Sequence, residues 1–182
     1  TTLAATDDIR INGVQIGKTT LGSAEAKVNA INKVSDETGV VATAETQMIL
    51  DLNFNETPTS VSFKLNGSAV NVKSDNTIFD VVSAINALNL NLEASAIENG
   101  RMQVTSHGGG DIVLGLSAAT AFVTSIQDGN GETQAVGASV TVRGSITLTS
   151  ETGGVIKLTD KTANNAGLAK LGFEGQSEEQ VA

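Results

Sequence analysis

The sequence predicts an α+β fold: two small modules of antiparallel β-hairpins with short packing helices, one module inserted in the other. Three observations carry that expectation. An Asn-Gly hairpin signal occurs twice, each copy precedes an amphipathic stretch ending in Ala-Ile-Asn, and a pair of alternating stretches around a Gly-containing turn also occurs twice. A chain of 182 residues suits two small domains, and 40% apolar residues suffice for a core. With five Phe and no Trp or Tyr, that core is expected to rest on Val, Ile, Leu and Ala rather than on rings.

The elements follow in chain order. Residues Ile9 to Ile16 alternate apolar and polar around Asn12-Gly13, a pair suited to a type I′ turn because both residues accept positive φ. Ala24, Val28, Ile31 and Val34 then recur at helical spacing, and the stretch carries Ala30-Ile31-Asn32. The chain then passes through 39–44 and 48–54 and enters Pro58, the sole proline, with no glycine-turn hairpin in between. The hairpin signal returns at Val61 to Val72 around Asn66-Gly67. Thr77 and Asp80 form a capping-box-like start for a second helix, with Ile78, Val81, Val82, Ile85 and Leu88 as its apolar positions and Ala84-Ile85-Asn86 at its end. Val28 and Ile31 are expected to face the sheet of one module, Val82 and Ile85 that of the other. The two copies share one offset of 54 residues, from Asn12 to Asn66 and from Asn32 to Asn86.

The second repeat matches Gly100–Leu114 to Gly144–Leu158 at an offset of 44, from 100 to 144 and from 112 to 156. Alternation on both sides of a glycine turn predicts a β-hairpin in each copy. A short helix closes the chain: Thr162 or Asn164/Asn165 is the expected cap, Ala166, Leu168, Ala169 and Leu171 the apolar stripe, and Gly172 the stop. The second Asn-Gly unit runs directly into its glycine-turn segment, whereas the first does not, and this order favours nesting. Residues 1–53 and 135–182 are expected to form a split module and 54–134 an inserted one, with turn chemistry at both junctions, Glu56–Ser60 and Asp128–Glu132. A plain tandem of three units is the alternative.

Composition excludes several chemistries. Without cysteine there is no disulfide framework, thiolate metal site or cysteine nucleophile. A net charge of −9 disfavours nucleic acid and anionic membranes as partners. No apolar run approaches the roughly 18 residues of a membrane span. His107, the one histidine, lies in a glycine-rich turn and reads as a solvated loop residue; no nucleophile elbow, P-loop or dinucleotide fingerprint occurs. Asp128-Gly-Asn130-Gly-Glu132 alternates oxygen ligands as a calcium loop does, but has Thr133 and Ser139 where that loop needs Gly and Glu, so it reads as a turn. The 107–111 segment likewise falls short of a calcium-binding glycine/aspartate nonapeptide. Asn55-Glu-Thr57 and Asn66-Gly-Ser68 fit the N-glycan acceptor pattern, which arises by chance in a chain this rich in Asn, Ser and Thr. No catalytic, cofactor or metal site is expected.

The segments Ile11–Gly17, Val28–Asn32 and Ser35–Ala42, followed by 148–158 and Leu171-Gly-Phe173, resemble the short repeat of the variable middle region of bacterial flagellins. The resemblance is close over about 9–44 and 144–173 and looser over 61–126, where Ser68-Ala69-Val70 replaces Val-Gln-Ile and Asn89-Leu90-Asn91 shortens the turn. It implies structural outer domains of a filament subunit, extracellular and exported without a cleaved signal peptide, serving motility and forming an antigenic surface. The split module would lie nearer the filament core. Asn12, Gly13, Ile31, Asn32, Asn66, Gly67, Ile85 and Asn86 are the structural motif residues. Implied partners are other flagellin subunits, through helical ends that this stretch does not include, and antibodies or a host surface; the piece alone is expected to be monomeric. Hook-associated and filament-cap proteins carry related repeats and are the alternative. An adhesin-like or carbohydrate-binding β module is a more distant one.

Overall fold

A computed structural model describes residues 1–56, 60–116, 121–162 and 166–173. Thr57 and Pro58 at the expected junction, and Asn164 and Asn165 at the expected cap, lie outside the described residues. The first strands are β1 (Ile9–Ile11), β2 (Val14–Gln15), β3 (Val40–Leu52), β4 (Ser60–Leu65), β5 (Ser68–Lys73), β6 (Glu93–Ile97) and β7 (Arg101–Ser106). The remaining strands are β8 (Ile112–Gly115), β9 (Val123–Asp128), β10 (Thr133–Gln134), β11 (Ser139–Val142), β12 (Ser145–Ser150) and β13 (Leu158–Asp160). Among the described residues four short α-helices accompany them: α1 (Ala24–Asn32), α2 (Ser35–Thr38), α3 (Ile78–Asn86) and α4 (Ala166–Leu171). The strands make three antiparallel sheets, and the fold is α+β.

The chain divides into two compact units: residues 1–45, 108–110 and 144–182 make the first, and 46–107 and 111–143 the second. These limits differ from the expected 53/54 and 134/135, and pairing explains the difference. Residues 40–44 and 48–52 of these two segments belong to one strand, β3. Its residues 40–45 pair with β12, while 46–52 pair with β7 and β9. At the other junction β11 pairs with β8, which draws residues 139–142 into the second unit.

In the first unit, β1 pairs with β2 across the Asn-Gly turn and with β13 on its other side. The Ser23 hydroxyl accepts the Ala26 N–H to start α1, and Gly39 at φ 65° ends α2 and turns the chain into β3. Ala24, Val28 and Ile31 of α1 pack with Ile9, Ile11, Val40, Ala42, Ile156 and Leu158 in an aliphatic core. Helix α4 buries Gly167, Leu168 and Leu171, whereas Ala166 and Ala169 of the expected stripe are exposed. A Cβ on Gly167 would lie 2.5 Å from Ile9 Cγ1, so the glycine allows α4 to settle directly on β1. Gly172 at φ 93° stops the helix as expected.

In the second unit, one sheet runs β11-β8-β4-β5 and the other β10-β9-β3-β7-β6. Helix α3 buries Val81 and Ile85, with Ile78, Val82 and Leu88 only partly covered, so Val81 rather than Val82 is the deepest partner of Ile85. The core rests mainly on Val, Ile, Leu and Ala as expected, but here it also holds rings. Phe63 and Phe122 are each 1% exposed with ring centroids 6.5 Å apart, and Phe54 meets Phe122 edge-on at 5.3 Å. Composition counts rings but does not show that three of five are gathered in one place.

The expected glycine-turn hairpins are corrected as well. β7 pairs with β3 and β6 while β8 pairs with β4 and β11; likewise β12 pairs with β3 and β13 with β1. Each segment is a strand, a turn and a strand that joins a different set of partners. Alternation reveals a strand with two unlike faces but says nothing of which neighbour it pairs with.

Candidate functional site

The eight motif residues fall into two matching sets, one per unit. Asn12 and Asn66 take φ 50° and 47°, and Gly13 and Gly67 take 87° each, so both hairpins turn through left-handed backbone that an Asn-Gly pair tolerates. The asparagine side chains do more than turn the chain. Asn12 Oδ1 accepts the Lys157 N–H at 2.8 Å and its Nδ2 donates to Thr38 O at 2.8 Å. Asn66 Oδ1 accepts the Val113 N–H at 2.7 Å and its Nδ2 donates to Asp111 O at 3.3 Å. Both asparagines also donate their own backbone N–H to the carbonyl of that same partner, Lys157 or Val113. Each amide clamps its hairpin to residues distant in sequence, Asn66 to 111–113 and Asn12 to Lys157 beside β13 and Thr38 of α2.

Asn32 and Asn86, at the ends of α1 and α3, form the second clamp. Asn32 Oδ1 accepts the Ala42 N–H at 2.7 Å and its Nδ2 donates to Ala42 O at 2.9 Å. Asn86 makes the same two bonds to Ala94, at 2.7 and 2.9 Å. The carboxamide imitates a neighbouring strand, satisfying both backbone groups of one residue on the side away from its ladder partner, β12 for Ala42 and β7 for Ala94. Ile31 and Ile85 precede these amides and are fully buried, anchoring each helix end.

Ladder registers agree with the repeat residue by residue. Ile11 faces Leu158 and Leu65 faces Leu114, while Ala44 faces Ile146 and Ala96 faces Met102. Lys157 and Val113 are themselves matched at the offset of 44. The strand after the helix is matched at 52 rather than 54, from Ala42 to Ala94, because the second copy has a shorter turn there. Asn89 and Asn91 in that turn both take positive φ.

Three further carboxylates serve the structure. Asp7 is buried; it accepts the Ala4 N–H and both its oxygens lie 2.8 Å from Lys170 Nζ. The Lys170 hydrogen bonds, then the Ala4 N–H, hold its pKa below the usual carboxylate value against the cost of burial. Asp160, rather than the expected Thr162, serves α4: it accepts Gly167 and Leu168 N–H groups at 2.7 and 2.9 Å, and both the N–H and hydroxyl of Thr162 donate to it. Burial pushes its pKa up, but bonds from Thr162, Leu168 and Gly167 outweigh that and leave it lowered. Asp80 accepts the Thr77 N–H and hydroxyl, each at 2.8 Å, which lowers its pKa too.

The segments weighed for chemistry are turns. Asp128 Oδ1 accepts the N–H groups of Asn130 and Glu132 at 2.9 and 3.0 Å, closing the β9–β10 turn. His107 Nε2 lies 2.7 Å from Glu93 Oε2, with the two side chains 66% and 65% exposed. Among the described residues no three His, Cys, Asp or Glu gather as a metal site. The Asn66 amide, in one of the two glycan patterns, is occupied by its clamp. Open grooves among the described residues include one of about 370 Å³ beside α1, bordered by Lys18 and Lys33, and one of about 450 Å³ between Phe54, Ile78 and Asn99. No protein-family model matches the chain.

Proposed function

We propose that the chain forms the outer, surface-exposed domains of a bacterial flagellin subunit, a structural rather than catalytic role. The observation that carries the reading is the doubled Asn-Gly/Ala-Ile-Asn unit, in which equivalent amides accept matched backbone N–H groups, Lys157 and Val113 at one clamp and Ala42 and Ala94 at the other. Residues that resemble the flagellin repeat make the clamps in both units, which supports reading the short motif words as one structural unit.

Surface chemistry supports the same reading. Among the described residues, the large apolar side chains left exposed are Leu21, Phe79, Val113 and Val155, scattered through the chain, which gives few anchors for adhesion between neighbours. Asn86 covers the open side of edge strand β6 at Ala94, where bare N–H and C=O groups would pair with another chain. Closely spaced subunits need such protected edges, and a net charge of −9 adds mutual repulsion.

The test is immunogold microscopy of intact source bacteria with antibodies raised against the folded chain. Labelling along the filament shaft is expected. Labelling confined to the hook junction or the tip would instead identify a hook-associated or cap protein, and bare filaments would overturn both readings.

A further inference from the structure

We propose that Asn99-Gly100 is a site of spontaneous deamidation in the folded protein, and that the clamps on Asn12 and Asn66 protect two otherwise equivalent Asn-Gly pairs. The chain contains four such pairs, at 12–13, 66–67, 99–100 and 130–131. Asn-Gly is the dipeptide most open to this reaction, because the missing Cβ lets the glycine nitrogen reach the preceding side chain. The Gly N attacks the Asn Cγ, a C–N bond forms, the Cγ–Nδ2 bond breaks, and ammonia leaves with the former amide proton. Water then opens the succinimide at either carbonyl, giving aspartate or isoaspartate. Only water is consumed and no oxidant or enzyme is needed.

All four pairs are exposed, so access does not distinguish them. Freedom of the amide does. The carboxamides of Asn12 and Asn66 are each held at both ends, and swinging either toward the following nitrogen breaks two hydrogen bonds. At Asn130 the side chain makes no hydrogen bond among the described residues, but the attacking Gly131 N–H is engaged with Asp128 O at 3.0 Å. Asn99 has no side-chain hydrogen bond among the described residues, and Glu98–Gly100 is the short link between β6 and β7. Its ψ of 27° must rotate for attack, which opens the single 3-10 turn Glu98–Gly100 but breaks no side-chain hydrogen bond among the described residues.

Conversion adds a carboxylate at the rim of a groove whose described lining, including Asn53, Asn76, Thr77 and Phe54, is uncharged. The isoaspartate product also lengthens the backbone of the β6–β7 link. The folded protein thus carries a chemical clock at one chosen loop.

The experiment follows the intact chain at neutral pH and physiological temperature. Samples taken over weeks are digested with trypsin and analysed by mass spectrometry, with isoaspartate measured by an isoaspartyl-specific methyltransferase. Arg10, Lys18, Lys64, Lys73, Arg101 and Arg143 place the four pairs in four different tryptic peptides. In the folded protein, Asn99 is expected to convert about tenfold or more faster than Asn12 and Asn66, as two hydrogen bonds of ordinary net strength imply. In urea the four rates should converge to within a few-fold. Asn12 or Asn66 converting as fast as Asn99 in the folded state would overturn the proposal, as would an Asn99 slowed as much as they are relative to urea. N99Q should abolish the change in its peptide while leaving Asn130 unaffected; a gain persisting in the Asn99 peptide would place the reaction elsewhere.

Discussion

Replacing Asn32 by alanine isolates the helix-end clamp. The change removes two short hydrogen bonds and strands the N–H and C=O of Ala42, a residue 2% exposed. Each bond contributes roughly 0.5–1.5 kcal/mol net, and a buried backbone group left unmatched costs roughly 1–3 kcal/mol, so a loss of about 2–3 kcal/mol is expected from the first unit. Asn86→Ala removes the same pair of bonds, but Asn86 is exposed where Asn32 is half-buried, so water substitutes more easily and the loss should be nearer 1 kcal/mol. N32D is the sharper probe: its carboxylate still accepts the Ala42 N–H but faces the Ala42 carbonyl with no donor, and should do no better than alanine. Without Trp or Tyr there is little intrinsic fluorescence to follow, so the assay is native-state hydrogen exchange by mass spectrometry, resolved by segment. The expected result is faster exchange over residues 24–45 in N32A, with 60–73 unchanged. Losses below about 0.5 kcal/mol in both alanine variants would show that the amides merely accompany the fold.

Two further outcomes follow from the same geometry. Ile85→Asp puts a charge at a site 1% exposed in the second core and should unfold that unit, removing exchange protection at 61–72 and 102–107; protection persisting around Ile9, Ile31 and Leu158 is expected, and its simultaneous loss would count against two separately cored units. Asp7 and Asp160 both have pKa values held below the ordinary 3.8, so the stability they confer is complete above that value and is lost as pH falls through their lower, folded-state values. Both lie in the first unit, so acid titration below about pH 4 should release 1–45 and 144–173 before 60–107, and D160N should flatten that slope; an unchanged slope in D160N would remove Asp160 from the account.

Much of each unit was legible because it is local. Asn-Gly fixes a turn through the φ values only those residues take readily, and apolar spacing located α1 and α3 because one face of each must be buried. The repeat offsets were legible too, and the ladders Ile11–Leu158 and Leu65–Leu114 follow them. The clamps gave a weaker signal: Asn recurred at fixed positions, but a polar residue ending a helix reads as a cap or solvent contact until its partner strand is known. Asp160 as the support for α4 was missed because it lies several residues before the helix, inside a strand.

The sequence by itself determined the Asn-Gly turns, helices α1, α3 and α4, the duplication and the lack of any recognised catalytic motif, since these depend on backbone preferences and on contacts within a few residues. Tertiary structure alone decided which strands pair. It made β3 one strand serving two units, split each expected glycine-turn hairpin between different partners, and gathered Phe54, Phe63 and Phe122 into one core. Strand pairing joins backbone groups that every residue carries, so the amino-acid order encodes it weakly. The choice is made by which apolar faces can be buried together and by side chains such as Asn12 and Asn66 that reach across the chain to hold a chosen strand.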